Sequence, residues 1–520
     1  MRGDPGEQSG KRSAQRGEAE RSAGGARPPA RRDPQDNVGT WLRAHADARP
    51  EHAALVVEGT GEWITYRELD ARVDRTAAAL AELGVVAGDR VALALPSEPL
   101  YLELYFAAAQ LGAILIPLNT RLTAAELGFQ IEDSEPRVVV RTAGIEIPER
   151  AGTTQLAPEA LRARMPARAE RRAAAPGGEA AQVILYTSGT TGRPKGAVLP
   201  HRKTYWNSRN AERYFELVPD DVVVVPVPLF HSFGLKILSV PALFVGATVL
   251  LVDRFDPLGL QATIAREGAT LLGAVPVMYQ RMLEAGVRPE QLASLRYAFS
   301  AGAALPVETI ERFARAGLRI QQGYGQTETS ILCCLDAKDA LRKAGSVGRP
   351  VPFGEVRIAD ERGRDVPHGT RGEVVVRGPI VMSGYWRRPE ETAQSRIDGW
   401  HRTGDLGVMD EDGCVSLVGR LKELYISGGE NVYPAEVERV LGQHPDVSEV
   451  AVVGVPDEKW GEAGRAYVVP ASDAFEPALL LAWAGERLAR YKLPREVVVV
   501  AELPRTASGK VQKHALLART

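Results

Sequence analysis

The stretch Tyr186-Thr-Ser-Gly-Thr-Thr-Gly-Arg-Pro-Lys195-Gly196 is the part of this chain best suited to holding phosphate. It continues an apolar run, QVILY (182–186), that reads as a buried strand. Glycines at 189 and 192 let backbone N–H groups come close to a polyphosphate. The hydroxyls of Thr187, Ser188, Thr190 and Thr191 can donate to phosphate oxygens, and Lys195 adds charge. The order differs from a Walker loop. Lys195 is followed by Gly196 where Ser or Thr would stand, and the first glycine is spaced differently. No G-x-S-x-G elbow or Cys–His constellation accompanies the block, so nothing in the sequence demands a protein nucleophile.

Further blocks follow in order. They are PLFHSFG (228–234), SAGAAL (300–305) with QQGYGQTE (321–328), GWHRTGDLG (399–407), GRLKELYISGGENVYPAEVE (419–438) and LPRTASGKVQK (503–513). With the loop at 186–196 they resemble the acyl-adenylate-forming enzymes: acyl-CoA synthetases, peptide-synthetase adenylation domains and firefly-type luciferases. The resemblance spans residues 40–515.

That resemblance implies a site for ATP, Mg²⁺ and coenzyme A. Thr187, Ser188, Gly189, Thr190, Thr191, Gly192 and Lys195 would cradle phosphates. Gly302, Ala303 and Ala304, with Gly323, Tyr324 and Gly325, would frame the adenine, and Tyr324 would stack on it. Thr327 would contact the α-phosphate, and Glu328 would hold Mg²⁺ together with phosphate oxygens. Asp405 would accept both ribose hydroxyls, a task that suits its two acceptor oxygens. Arg420 would lie between ribose and phosphate. Lys422 matches the hinge, and Gly428 and Gly429 the turn along the CoA tunnel. Lys510 matches the catalytic lysine, with Glu328 and Thr187 as its partners in catalysis. His231, Phe233, Ser300, Gly302 and Gly325 would wall the acyl pocket.

The implied reaction has two steps. A carboxylate attacks the α-phosphorus of ATP and expels diphosphate, and the CoA thiol then displaces AMP from the mixed anhydride. Dense negative charge in the first step calls for electrostatic stabilisers. A large rotation about Lys422 would separate the steps.

Positioning such residues takes a large frame. At 520 residues the chain predicts two or more domains. TYRELDARVDRTAAALAELGV (65–85) has helical periodicity with Thr65 placed to cap. RVALALP (90–96), VVVVPVP (222–228), ATVLLV (247–252) and TLLGAVP (270–276) read as strands, and YLELYFAAAQLGAILIPLN (101–119) as a helix running into a strand. This alternation predicts layered α/β subdomains with helices on the sheet faces. Residues 356–378 read as all-β, and a small α+β domain follows, ending in a helix over 477–491. The expected division is a disordered extension over 1–36, a large N-terminal domain over 37–420 and a small mobile C-terminal domain over 421–520. Asp4, Glu7, Glu18 and Glu20 argue against a transit peptide, and a natural start near Val38 is a further option.

The bulk numbers exclude several classes. A net charge of -2 gives no nucleic-acid footprint. Three cysteines, two of them neighbours, form neither a disulfide framework nor a metal motif, which fits a cytoplasmic location. The longest apolar stretch, Ile237 to Val252, holds Pro241 and Gly246 and predicts a buried helix and strand, not a membrane span. A homodimer stays open.

The leading expectation is a CoA ligase, and the alternative is an enzyme loading a separate carrier protein. Leu229, Phe233, Val275, Val277, Met278 and Leu332 predict an apolar substrate, a fatty or aromatic acid. Gly323 and Gly325 are expected to leave room deep in the site, and Lys236 to offer a partner for a second carboxylate.

Overall fold

The computed structural model describes residues 32–187, 194–428, 430–472, 474–506 and 510–517. Strands form where the sequence carries short runs of branched apolar residues, and central ones such as Ile114–Pro117, Val222–Val225, Thr248–Leu251 and Leu271–Ala274 are buried along their whole length. Parallel strands covered on both faces require such runs. Among the described residues there are two large sheets. In the nine-stranded sheet, Ala53–Val57, Thr248–Leu251, Val222–Val225, Leu271–Ala274, Tyr297–Ser300 and Ile320–Gln326 run parallel as successive neighbours. In the seven-stranded sheet, Val138–Arg141, Arg90–Ala94, Ile114–Pro117 and Ala181–Thr187 do the same. Lys195–Pro200 turns back antiparallel on the last of these.

Side chains along a strand alternate between faces, and here both faces are apolar. Val223 belongs to a core shared with Leu93, Leu115 and Val183 of the other sheet, and with Leu69, Val73 and Phe106 of intervening helices. Its neighbour Val224 belongs to a second core with Ile264, Met282 and Phe313. Leu127 and Ile131 cover the far face of the seven-stranded sheet. The order is therefore helix, sheet, helix, sheet, helix. Helix Tyr66–Glu82 starts with the expected cap: Thr65 accepts from the backbone N–H of Glu68, whose carboxylate accepts from that of Thr65.

One inner helix, His201–Tyr214, buries polar groups. His201, Lys203, Thr204, Asn207, Ser208 and Asn210 are all enclosed. They bond outward to several elements: His201 to Val38, Thr204 to Gln182, Asn207 to Lys236 and Ile331, and Asn210 to Phe353. The helix acts as a polar bracket between sheets, and these bonds satisfy most of the buried groups it carries, while His201 Nε2 and Asn210 Nδ2 have no partner among the described residues.

A β-rich section follows: Glu355–Ala359, Arg371–Arg377, Arg396–Ile397, Trp400–Met409 and Val415–Arg420. The smaller C-terminal domain has its own sheet and its own cores, around Tyr425, Val437, Val452 and Leu480 and around Tyr467, Leu503 and Leu516.

Two expectations need correction. Residues 32–36 are packed, not disordered. The Arg32 guanidinium donates to the Trp41 carbonyl at 2.8 Å and lies 4.6 Å over the Phe244 ring. A planar cation can stack on aromatics, which polar composition alone hides. The helix expected over 477–491 stops at Gly485, a poor helix former, and a short 3₁₀ turn occupies Arg490–Lys492. Residues 1–31 lie outside the described residues.

Candidate active site

Two carboxylates organise the site. Strand Ile320–Gln326 turns sharply into Ser330–Cys334, and Glu328 sits in that turn. Its Oε1 accepts from the Thr187 hydroxyl at 3.2 Å and from the Tyr385 hydroxyl at 3.2 Å. Thr187 ends the strand that leads into the glycine-rich loop. Lys195 begins the returning strand, and its ammonium lies 5.3 Å from the Tyr385 ring centre.

Asp405 is the second carboxylate. Its Oδ2 accepts from the Tyr324 hydroxyl at 2.7 Å and from Gln326 Nε2 at 2.6 Å. Its Oδ1 lies 2.9 Å from Arg420 Nε. Asp405 and Arg420 face each other in antiparallel register, which fixes their approach. Gln326 binds at Asp405 and Glu328 at Thr187, so one residue, Thr327, separates the two clusters along the chain.

The C-terminal domain reaches this centre. Burial first, and then the Arg420 charge, pull the Lys510 ammonium below its usual range, while Asp405 opposes them. Burial, Lys195 and Arg420 lower Lys422. The loop bearing Lys510 is tied to its own domain, because Lys513 Nζ lies 2.7 Å from Glu423 and 2.8 Å from Glu438. Across the domains, Arg371 lies 3.4 Å from Glu436 and 5.2 Å over Tyr433.

Near the acyl wall, Ser300 ends strand Tyr297–Ser300, and the Phe233 and Phe299 rings meet edge-on at 6.0 Å. His231 Nε2 and Ser300 Oγ are buried without a hydrogen-bond partner among the described residues. Burial pulls His231 down to about 4, helped by Arg121, so its ring is neutral at ordinary pH. Gly302, with φ 92°, is exposed together with Ala303 and Ala304.

Some sites fall elsewhere. Gly428 packs on Trp460, where a Cβ would come within 2.5 Å of the indole, and is not joined to the cluster above. Ser188, Gly189, Thr190, Thr191, Gly192 and Gly429 lie outside the described residues. Two readings are corrected. The space beside Gly323 and Gly325 is not free. A Cβ would meet the Phe299 ring at 2.3 Å and the Ser330 carbonyl at 1.9 Å, so these glycines serve close packing. Lys236 is fully enclosed and bonded to Tyr105, Gln182 and Thr204, so it cannot greet a second carboxylate. Tyr385 and Gln326 were missed. Neither type is diagnostic, and only the block SGYW (383–386) marks the first.

Fold and site together define an acyl-adenylate-forming enzyme with a large N-terminal and a small C-terminal domain. The chain belongs to the AMP-binding enzyme family, whose model matches residues 42–386, and the AMP-binding enzyme C-terminal domain model matches 436–510. It is 42% identical over 486 residues to feruloyl-CoA synthase of Amycolatopsis sp, covering 92% of this chain and 97% of that one. It is 37% identical over 496 residues to the long-chain-fatty-acid–CoA ligase FadD13 of Mycobacterium tuberculosis, covering 92% and 98%. ATP-bound MatB from Rhodopseudomonas palustris superposes with TM-score 0.88 at 36% identity over 93% and 99% of the two chains, whereas its apo form gives 0.77. The chain is an acyl-CoA synthetase, an AMP-forming acid–thiol ligase, and the carrier-loading alternative is not favoured.

Proposed function

We propose that this ligase activates an apolar aromatic acid bearing a polar ring substituent, through an adenylate formed at the turn Gln326–Glu328. The observation that carries the adenylate site is that turn, which brings the Glu328 and Asp405 clusters within one residue of each other. For the acid, the supporting observation is the pair of unpartnered atoms, His231 Nε2 and Ser300 Oγ, beside the Phe233 and Phe299 rings. A buried polar atom without a partner costs roughly 1–3 kcal/mol, which a substrate hydroxyl or ether would recover. The 42% identity to a feruloyl-CoA synthase points the same way.

Among the described residues, no group of three or more His, Cys, Asp or Glu could hold a metal alone. The Glu328 carboxylate, held by the Thr187 and Tyr385 hydroxyls, is an oxygen donor of the kind that would suit Mg²⁺ taking its other oxygens from phosphates and water. Such an ion neutralises phosphate charge. In this reading Thr187 and Tyr385 aim Glu328, and Lys195 faces the phosphates. Asp405 takes the ribose hydroxyls, Tyr324 stacks on adenine and Thr327 meets the α-phosphate. Lys510 donates to the reacting carboxylate and α-phosphate oxygens. Lys422 serves as hinge, and Gly428 and Gly429 flank the thiol path after rotation.

Diphosphate release over a panel of acids, each with and without CoA, tests the substrate class. Hydroxycinnamates should exceed saturated C8–C16 acids in kcat/KM by about tenfold or more. The reverse order would overturn this reading in favour of fatty acids.

Protonation of Lys510 gives a pH test. The ammonium is the active form and its folded pKa is lowered from 10.5. Adenylation should therefore fall as pH rises through a value below 10.5, while thioester formation from supplied adenylate should not share that limb. A shared alkaline limb would remove Lys510 from the assignment.

A further inference from the structure

Lys203 is the third residue of helix His201–Tyr214 and only 1% exposed. That is an unfavourable place for an ammonium. It is out of water, and it sits at the helix end whose dipole repels cations. Among the described residues, no carboxylate pairs with it. Its Nζ instead donates to Ser330 Oγ. Ser330 holds φ 62°, the left-handed region that side-chain-bearing residues seldom adopt. One helical turn on, Asn207 Oδ1 accepts from Ile331 N–H at 3.3 Å.

The helix thus grips two consecutive residues at the foot of the turn that carries Thr327 and Glu328. Thr329 closes that turn: its Oγ1 accepts from Gln326 N–H at 3.2 Å, and its own N–H donates to the Gln326 carbonyl at 3.2 Å. The Ser330 carbonyl fills the place of a Cβ on Gly325, so the left-handed residue and the glycine are fitted to each other. Burial draws Lys203 down to about 7, and the Glu328 charge opposes this, which puts the ammonium within reach of Glu328's field.

We infer that Lys203 is a positioning residue, which pins Ser330 in its left-handed conformation and so aims the Glu328 carboxylate at the metal–nucleotide complex. This rests on the reading of Glu328 as the metal carboxylate.

The test measures Mn²⁺ binding by electron paramagnetic resonance, with a non-hydrolysable ATP analogue present. Lys203→Met should weaken Mn²⁺ binding about tenfold, as loss of an outer support commonly does, with KM for the acid unchanged. The double variant K203M/S330G should recover most of the loss, because glycine adopts φ near +60° freely. If K203M does not fold, S330A and S330G decide. Both lose the hydroxyl, and S330A alone should bind Mn²⁺ poorly. Equal binding by S330A and S330G, or wild-type binding by K203M, would overturn the inference. Glu328→Gln separates the two readings: unchanged Mn²⁺ binding there sinks the metal assignment itself, whereas weakened binding there with normal K203M sinks only the role of Lys203.

Discussion

Changing Lys510 to alanine should slow adenylate formation about 10²–10³-fold, the usual effect of removing one preorganised donor from developing negative charge. The second half-reaction should be nearly untouched. The argument starts from position. Lys510 belongs to the C-terminal domain yet feels Arg420 and Asp405, and its partial burial draws the ammonium below its usual range. A poorly hydrated charge interacts strongly with an incoming anion. Diphosphate exchange measures that step, and synthetic acyl-adenylate plus CoA measures the second. Equal losses in both would remove Lys510 from its assigned role.

The second large effect is expected at Asp405. Asp405→Asn should raise KM for ATP about 10²-fold, as expected when a charged acceptor of hydrogen bonds is lost. The substitution keeps the shape but not the donor–acceptor pattern. One carboxylate oxygen serves Tyr324 and Gln326 and the other serves Arg420, so all three partners donate. An amide presents only one acceptor, and its NH₂ must confront a donor on one side. The Arg420 side chain is 43% exposed and can turn to water, so the stability loss from that side is small. Tyr324 is buried and cannot. The strain therefore falls on the platform proposed for adenine. Steady-state kinetics with varied ATP checks this, and a KM within about threefold of wild type would refute the ribose assignment.

The family and the layered α/β fold are legible in the sequence for a definite reason. Thr187, Glu328, Asp405 and Lys510 stand in blocks whose resemblance to acyl-adenylate-forming enzymes singles them out, and the strand runs and the Thr65 cap are local signals. What was not legible depends on distant approach. Tyr385 meets Glu328 across 57 residues of chain, and Gln326 meets Asp405 across 79. The glycines at 323 and 325 look like open space in sequence, but Phe299 and Ser330 occupy it. The enclosure of Lys203 and Lys236 carries no sequence signal, because burial of polar side chains here follows from the elements packed around them and not from periodicity.

The Lys513 tether to Glu423 and Glu438 has a temporal consequence. Lys513, three residues beyond Lys510, is fastened to Glu423 and Glu438, which couples Lys510 to the movement of its domain. On the proposed roles, an enzyme so wired would not serve nucleotide and thiol simultaneously. If the proposed rotation separates the two steps, every turnover would include an interval in which the activated acid sits unattended, and hydrolytic leakage of that acid would become a clock for the swing.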